Sequence, residues 1–98
     1  MSQFSISPDA SRDLKEIIDY FTAQNVEAGE NFVNEFENKC KYLTRFPQIG
    51  RSYSEIAPNL RGLPLMKYII LYQVINDRIT ILRVVSGYRN LPSLFVDE

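Results

Sequence analysis

The stretch from Lys67 to Val74, KYIILYQV, constrains the fold more than any other part of the chain. Successive residues of a strand point to opposite faces, and here both faces are apolar. Tyr68, Ile70, Tyr72 and Val74 share one side, and Ile69 and Leu71 share the other. A strand of this kind belongs in the middle of a sheet with something covering each side. After it, Asn76-Asp77 marks a tight turn, and Arg78 to Val85 returns as the last strand. Before it, Leu60 to Leu65 reads as a short strand broken near Pro64, because proline has no N–H for a ladder.

The N-terminal half supplies the cover. Gln3 to Ser7 alternates, with Phe4 and Ile6 on one side, and reads as a short strand. Ser7-Pro8 then opens a helix, with Ser7 as N-cap, Pro8 at the first helical position and Asp9 and Asp13 near the positive end of the dipole. Ala10, Leu14, Ile17, Ile18 and Phe21 recur at helical spacing, so the helix runs to about Gln24. Asn25 breaks it and caps a second helix, whose stripe is Ala28, Phe32, Val33, Phe36, Cys40 and Leu43. That helix stops near Phe46, since Pro47 cannot continue it. Pro47 to Asn59 reads as a loop, and the residues after Gly87 as a tail able to hold one helical turn.

The element order is β-α-α-β-β-β. Helices and strands that come in runs rather than alternating predict an α+β fold. A helical hairpin over about residues 8–46 packs on a small, largely antiparallel sheet built from about 3–7 and 60–85, followed by a tail, 86–98. The whole of 1–98 is expected to be one domain, a size at which a single core suffices. Two helices cover only one side of a sheet. The other is expected either to stay open as an aromatic and basic binding surface or to be closed by the tail through Leu91, Leu94 and Phe95.

Composition narrows the chemistry. Cys40 is the lone cysteine, which excludes an internal disulfide and fits the reducing cytoplasm. No apolar run approaches the ~18 residues of a membrane span, and Met1 to Ser5 lacks the marks of a signal peptide. The chain contains no histidine, which removes the usual general base and the commonest metal ligand. No metal or other cofactor is expected. The net charge of −1 conceals a division: Met1–Glu37 holds 8 acids against Arg12 and Lys15, whereas Asn38–Pro92 holds 9 bases against Glu55 and Asp77. Such segregation makes a positive face for an anionic partner unless the two halves fold together and screen each other.

Four stretches, in order, resemble the ParE/RelE superfamily of toxins from bacterial type II toxin–antitoxin modules, and its ParE branch in particular. They are Ser7–Tyr20 (SPDASRDLKEIIDY), Leu43–Arg51 (LTRFPQIGR), Asn59–Pro64 (NLRGLP) leading into Lys67–Tyr72 (KYIILY), and Ile79–Asn90 (ITILRVVSGYRN). The resemblance spans nearly the whole chain. It implies a toxin that arrests growth by attacking a central cellular machine, held inactive in a hetero-oligomer with a cognate protein antitoxin. Toxins of the ParE branch poison DNA gyrase without doing chemistry, whereas RelE-like toxins cut mRNA on the ribosome.

If the chain is a ribonuclease, the resemblance places its cationic set at Arg61, Arg83, Tyr88 and Arg89. Against this, cleavage needs a proton carrier tuned near neutrality, and docking on rRNA favours a basic protein, whereas the sequence pI is about 5.4. The gyrase-directed branch is therefore the favoured expectation, with the ribonuclease and an inactive antitoxin-binding relic as alternatives. Arg61, Lys67, Tyr68, Tyr72, Arg83 and Arg89 are the expected contacts for target or antitoxin. Arg61 is otherwise expected to pair with Glu55 or an acid of the first helix. Arg83, in register with Ile79, Ile81 and Val85, requires a partner. Tyr68 and Tyr72 also read as core filler, and Cys40 as inert packing. Asp9, Asp13, Glu16 and Asp19 read as a solvated face. The antitoxin is expected to be the DNA-binding partner, with no DNA or membrane binding by this chain itself.

Overall fold

The computed structural model describes residues 3–87 and 90–95. Strand β1 (Gln3–Ile6) leads into helices α1 (Pro8–Gln24) and α2 (Val26–Arg45); strands β2 (Arg51–Ser52), β3 (Leu60–Leu65), β4 (Tyr68–Ile75) and β5 (Arg78–Ser86) follow, then a 3₁₀ turn at Leu91–Phe95. The helix boundaries follow from caps. Ser7 Oγ accepts the Ala10 N–H at 3.1 Å, and Pro8 occupies the first turn. Asn25 acts twice: its N–H donates to the Phe21 carbonyl at 3.1 Å, ending α1, and its Oδ1 accepts the Ala28 N–H at 2.7 Å, starting α2. A single connecting residue forces the helices into an antiparallel hairpin.

The sheet order is β1-β5-β4-β3-β2, with β1 parallel to β5 and every other pair antiparallel. β4 is the central strand, as its two apolar faces require. Asn76 and Asp77 both take positive φ, 50° and 64°, which is the backbone of a tight two-residue hairpin turn. Two expectations are corrected. The segment from Pro47 to Asn59 is not wholly loop, because β2 pairs Arg51 with Gly62 and Ser52 with Arg61. β3 also runs unbroken through Pro64, which faces Ile69 of β4. β2 reaches only Arg61 and Gly62, so at Pro64 the outer edge of β3 has no strand waiting for an N–H.

The helices pack on one face of the sheet, where Phe32, Phe36 and Leu43 of α2 and Ala10 and Ile17 of α1 meet Ile70 and Tyr72 of β4. The other face carries a second cluster built on Leu60, Leu71 and Val85. The expectation of an open sheet face is overturned here. Leu91, Leu94 and Phe95 of the 3₁₀ turn lie over it, joined by Tyr53, Ile56 and Ala57. The latter contribution comes from the segment read as loop. Tyr53 lies flat enough on Gly62 that a Cβ there would stand 2.7 Å from its ring. The strand apolar on both sides is thus covered on both sides.

This arrangement makes the tail a structural element. Replacing Leu94 with Asp sets a carboxylate against the second cluster and is expected to cost about 1–3 kcal/mol. Thermal unfolding of L94D should then begin several degrees lower, with increased binding of a hydrophobic dye at the uncovered face. An unchanged melting curve would show that the tail does not cover the sheet.

Candidate functional site

Three groups of side chains account for the expected site residues that the structure describes, and they lie at different places on the sheet. The first forms at an irregularity in β5. Leu71 pairs with Arg83 while Tyr72 pairs with Ile81, which leaves Leu82 as an extra residue in a β-bulge. The bulge reverses the alternation: Ile79, Ile81 and Val84 face the helices, and Leu82 and Val85 face the second cluster. Arg83 is therefore not in simple register with Ile79, Ile81 and Val85. Its Nε donates to Asp13 Oδ2 at 2.7 Å and its Nη2 to Asp13 Oδ1 at 3.0 Å, a bidentate pair. Asp13 Oδ2 also accepts the Val84 N–H at 3.0 Å. The hydrogen bond to Asp13 is the main reason the guanidinium pKa rises above its ordinary value.

Asp13 is thereby corrected from a solvated acid to a structural one; its side chain is only 13% exposed. Asp9 and Asp19 do sit at the surface, in local pairs with Arg12 at 3.7 Å and Lys15 at 3.0 Å. The signal in the sequence was available. Asp13 stands three residues after Ala10 and four before Ile17, within the apolar stripe, and Arg83 stands among apolar strand residues. Each was out of place alone, and each is the other's explanation.

The second group joins Arg61 and Tyr72, cross-strand neighbours on β3 and β4. The Tyr72 hydroxyl accepts the Gly50 N–H at 2.9 Å and donates to the Pro47 carbonyl at 2.9 Å. Arg61 Nη1 donates to the carbonyls of Gln48 at 3.1 Å and Gly50 at 2.7 Å. Four bonds therefore hold the Pro-x-x-Gly turn after α2. Gly50 is required by close approach: a Cβ would come within 2.5 Å of the Tyr72 hydroxyl and 2.8 Å of the Gly62 carbonyl oxygen. The expected pairing of Arg61 with Glu55 or a helix-one acid is replaced by these carbonyls. Tyr72 is fully buried and has no surface to offer a partner. Burial raises its pKa, opposed by the Gly50 hydrogen bond and the Arg61 charge.

Lys67 and Tyr68 form the third group, at the β3–β4 turn, the opposite end of that hairpin from Arg61. Lys67 is exposed, and half-buried Tyr68 meets Phe21 and Phe32 edge to face, with ring centres 6.4 and 5.9 Å away. With Tyr20 and Met66 they border a shallow groove at the end of α1. Tyr88 and Arg89 lie outside the described residues. Cys40 is buried, and desolvation with nearby Glu37 pushes its thiol up to about 11, which leaves it unreactive near neutrality. Among the described residues no cluster of Cys, Asp and Glu is placed to hold a metal ion, and no helix is long and apolar enough to cross a membrane.

A further groove, unassigned by the sequence, lies between β1 and the helices. It has a volume of about 370 Å³ and is lined mainly by Phe4, Ile6, Leu14, Ile18, Val33 and Phe36. β1 is one of the sheet's two edge strands, so among the described residues its outer backbone edge has no neighbour in the sheet. An apolar trough beside an open strand edge can accept an extended segment with alternating apolar residues.

Comparison with known proteins places these features in context. Residues 4–91 match the family model described as the ParE toxin of the type II toxin–antitoxin system parDE. Toxin ParE3 of Caulobacter vibrioides is 27% identical over 88 residues, covering 90% of this chain and 85% of that protein. A solved structure described as a chromosomal ParDE toxin–antitoxin system from P. aeruginosa superposes with a TM-score of 0.73 at 22% identity, covering 88% of this chain and 96% of that one.

Two measurements check the structural assignments of Arg83 and Tyr72. In a double-mutant cycle of D13N and R83M, each single change should cost about 2–4 kcal/mol in denaturant unfolding, with a coupling of about 1–3 kcal/mol. Additive effects would disprove the pair. Tyr72→Phe should cost about 1–2 kcal/mol by stranding the Gly50 N–H and Pro47 carbonyl. The raised Tyr72 pKa means the folded state retains its proton where the unfolded chain loses it. Stability from this group is therefore constant below about pH 10, the ordinary tyrosine value, and falls above it. Y72F should flatten that alkaline decline.

Proposed function

The chain belongs to the ParE toxin family of type II toxin–antitoxin systems, and from this premise we propose that it arrests growth by binding DNA gyrase and is neutralised by a cognate antitoxin. The observation that carries the gyrase reading over mRNA cleavage is the engagement of Arg61 and Arg83, the two described cations of the expected nuclease set. A ribonuclease needs charges aimed at a phosphate whose negative charge grows in the transition state. Arg83 is instead neutralised by the two oxygens of Asp13, and Arg61 is directed at two loop carbonyls. Freeing either would break bonds that the fold uses. With no histidine in the chain, proton transfer near neutral pH also lacks its usual agent. A protein that acts by binding needs none of this machinery.

The groove beside β1 supports the antitoxin part of the reading. An antitoxin segment that adds a strand to β1 gains main-chain hydrogen bonds, and its alternate side chains gain the apolar lining of Phe4, Ile6 and Ile18. Ordering a flexible segment there costs entropy that only extensive apolar burial offsets.

In a supercoiling assay, purified chain should inhibit gyrase and accumulate cleaved DNA, and primer extension on messages from arrested cells should reveal no new ends. Absence of inhibition with folded protein in excess, together with transcript cleavage lost in R83M, would reverse the assignment.

A further inference from the structure

We propose that the C-terminal end of α2 and the turn after it form a second docking face, distinct from the groove beside β1, whose occupant is an acidic surface of the protein on which this toxin acts. The inference rests on the toxin reading above but not on the identity of gyrase as the target.

The face has an apolar centre. Tyr42, Phe46 and Ile49 are 43%, 51% and 44% exposed, unusually open for large apolar side chains so close together in the chain. Tyr42 and Phe46 are four residues apart, and their rings meet edge to face at 5.2 Å. They stand on the side of α2 away from Phe36 and Cys40, which point into the core and the other groove. The Ile49 N–H donates to the Phe46 carbonyl at 3.1 Å, so the chain turns tightly between Phe46 and Ile49. This turn is the one held by Tyr72 and Arg61 through four hydrogen bonds. The centre is therefore presented rigidly, and binding to it requires little ordering.

The rim is cationic. Lys39, Arg45 and Arg51 fall in a stretch, Asn38 to Ser54, that contains no acid, while Lys41 of the same stretch borders the groove beside β1. Among the described residues none of the four is in an ion pair. Arg51 lies over the Tyr53 ring at 5.0 Å, which positions its charge without neutralising it. An aromatic and aliphatic centre with an arginine rim is the composition of a protein–protein hot spot, and unneutralised cations select a partner with acids in complementary places. A nucleic acid fits less well. Single strands bind by stacking bases on free ring faces, whereas these rings are turned onto each other and Ile49 offers nothing to stack on.

Two variants of the full chain test the proposal: Phe46→Ala, which removes the centre, and Arg45→Gln with Arg51→Gln, which removes rim charge. All altered side chains are exposed, and thermal melting verifies that each variant is folded. Each is expected to require at least about tenfold more toxin than the wild type to arrest growth of a bacterial host. Binding to purified gyrase should weaken by a similar factor, and for the Arg45→Gln/Arg51→Gln variant most strongly at low salt. Folded variants that arrest growth at the wild-type dose would overturn the docking face. If the wild type arrests growth without touching gyrase, the gyrase reading fails, and reduced arrest by the variants still supports the face. If the wild type binds a 20-nucleotide single strand or duplex and the Arg45→Gln/Arg51→Gln variant does not, the protein occupant is overturned.

Discussion

The Asp13 carboxylate holds the two halves of this protein in one arrangement. β1 ends at Ile6, so β5 loses its neighbour just where the bulge at Leu82 disturbs its ladder. Backbone groups left unpaired at such a place are costly when shielded from water. The start of α1 meets that need. The Ser7 N–H donates to the Ile81 carbonyl and its hydroxyl to the Leu82 carbonyl, each at 2.9 Å, while Asp13 accepts the Val84 N–H and both arms of Arg83. Ser7 also caps α1. The register of the sheet and the seating of the helical hairpin are consequently not independent. Shifting α1 by one turn would strand a charge on each element and reopen the bulge.

That coupling limits the available chemistry. A cation committed to a bidentate carboxylate stabilises the fold because it is not free to meet a developing charge elsewhere. Arg61 is committed in the same manner, to the turn after α2, where Gly50 alone leaves space for the Tyr72 hydroxyl. A nuclease built on this scaffold would need cations released from such duties. A toxin that acts by contact can use the same residues as struts, and the rigidity they confer lowers the entropy lost on binding.

Most of the architecture was legible in the sequence. Apolar periodicity, the caps at Ser7 and Asn25, and the Asn76-Asp77 turn are local signals, and local physics decides them. What escaped depended on distant groups meeting. The bulge at Leu82 changes which face every later residue of β5 occupies, and no period within β5 announces it. β2 is too short to show alternation and exists because Arg51 and Ser52 lie beside β3. Pro64 read as a strand breaker because its edge was assumed to be paired. Tyr72 read more as core than as contact, and nothing local announced that its hydroxyl lies between Pro47 and Gly50, residues more than twenty positions earlier. The second apolar face of β4 required a cover, but its division between the tail and Tyr53–Ala57 follows from three-dimensional proximity alone.

The uneven charge of the sequence survives folding because so few of its charges meet across it. Among the described residues the pair of Arg83 with Asp13 is the one ion pair that joins the basic and acidic halves, whereas Asp9 with Arg12 and Lys15 with Asp19 close locally on α1. Had the halves screened each other, Arg45 and Arg51 would face helix-one acids. Arg45 instead ends α2 next to exposed Phe46, and Arg51 lies in β2 with its guanidinium over the Tyr53 ring. An almost neutral chain therefore carries an acidic helix surface and a basic, apolar-centred end. Opposed local fields on a small protein orient it as it approaches a charged partner. The fold retains its charge separation at the surface, where it can act on other molecules, while using one salt bridge inside to fix the frame.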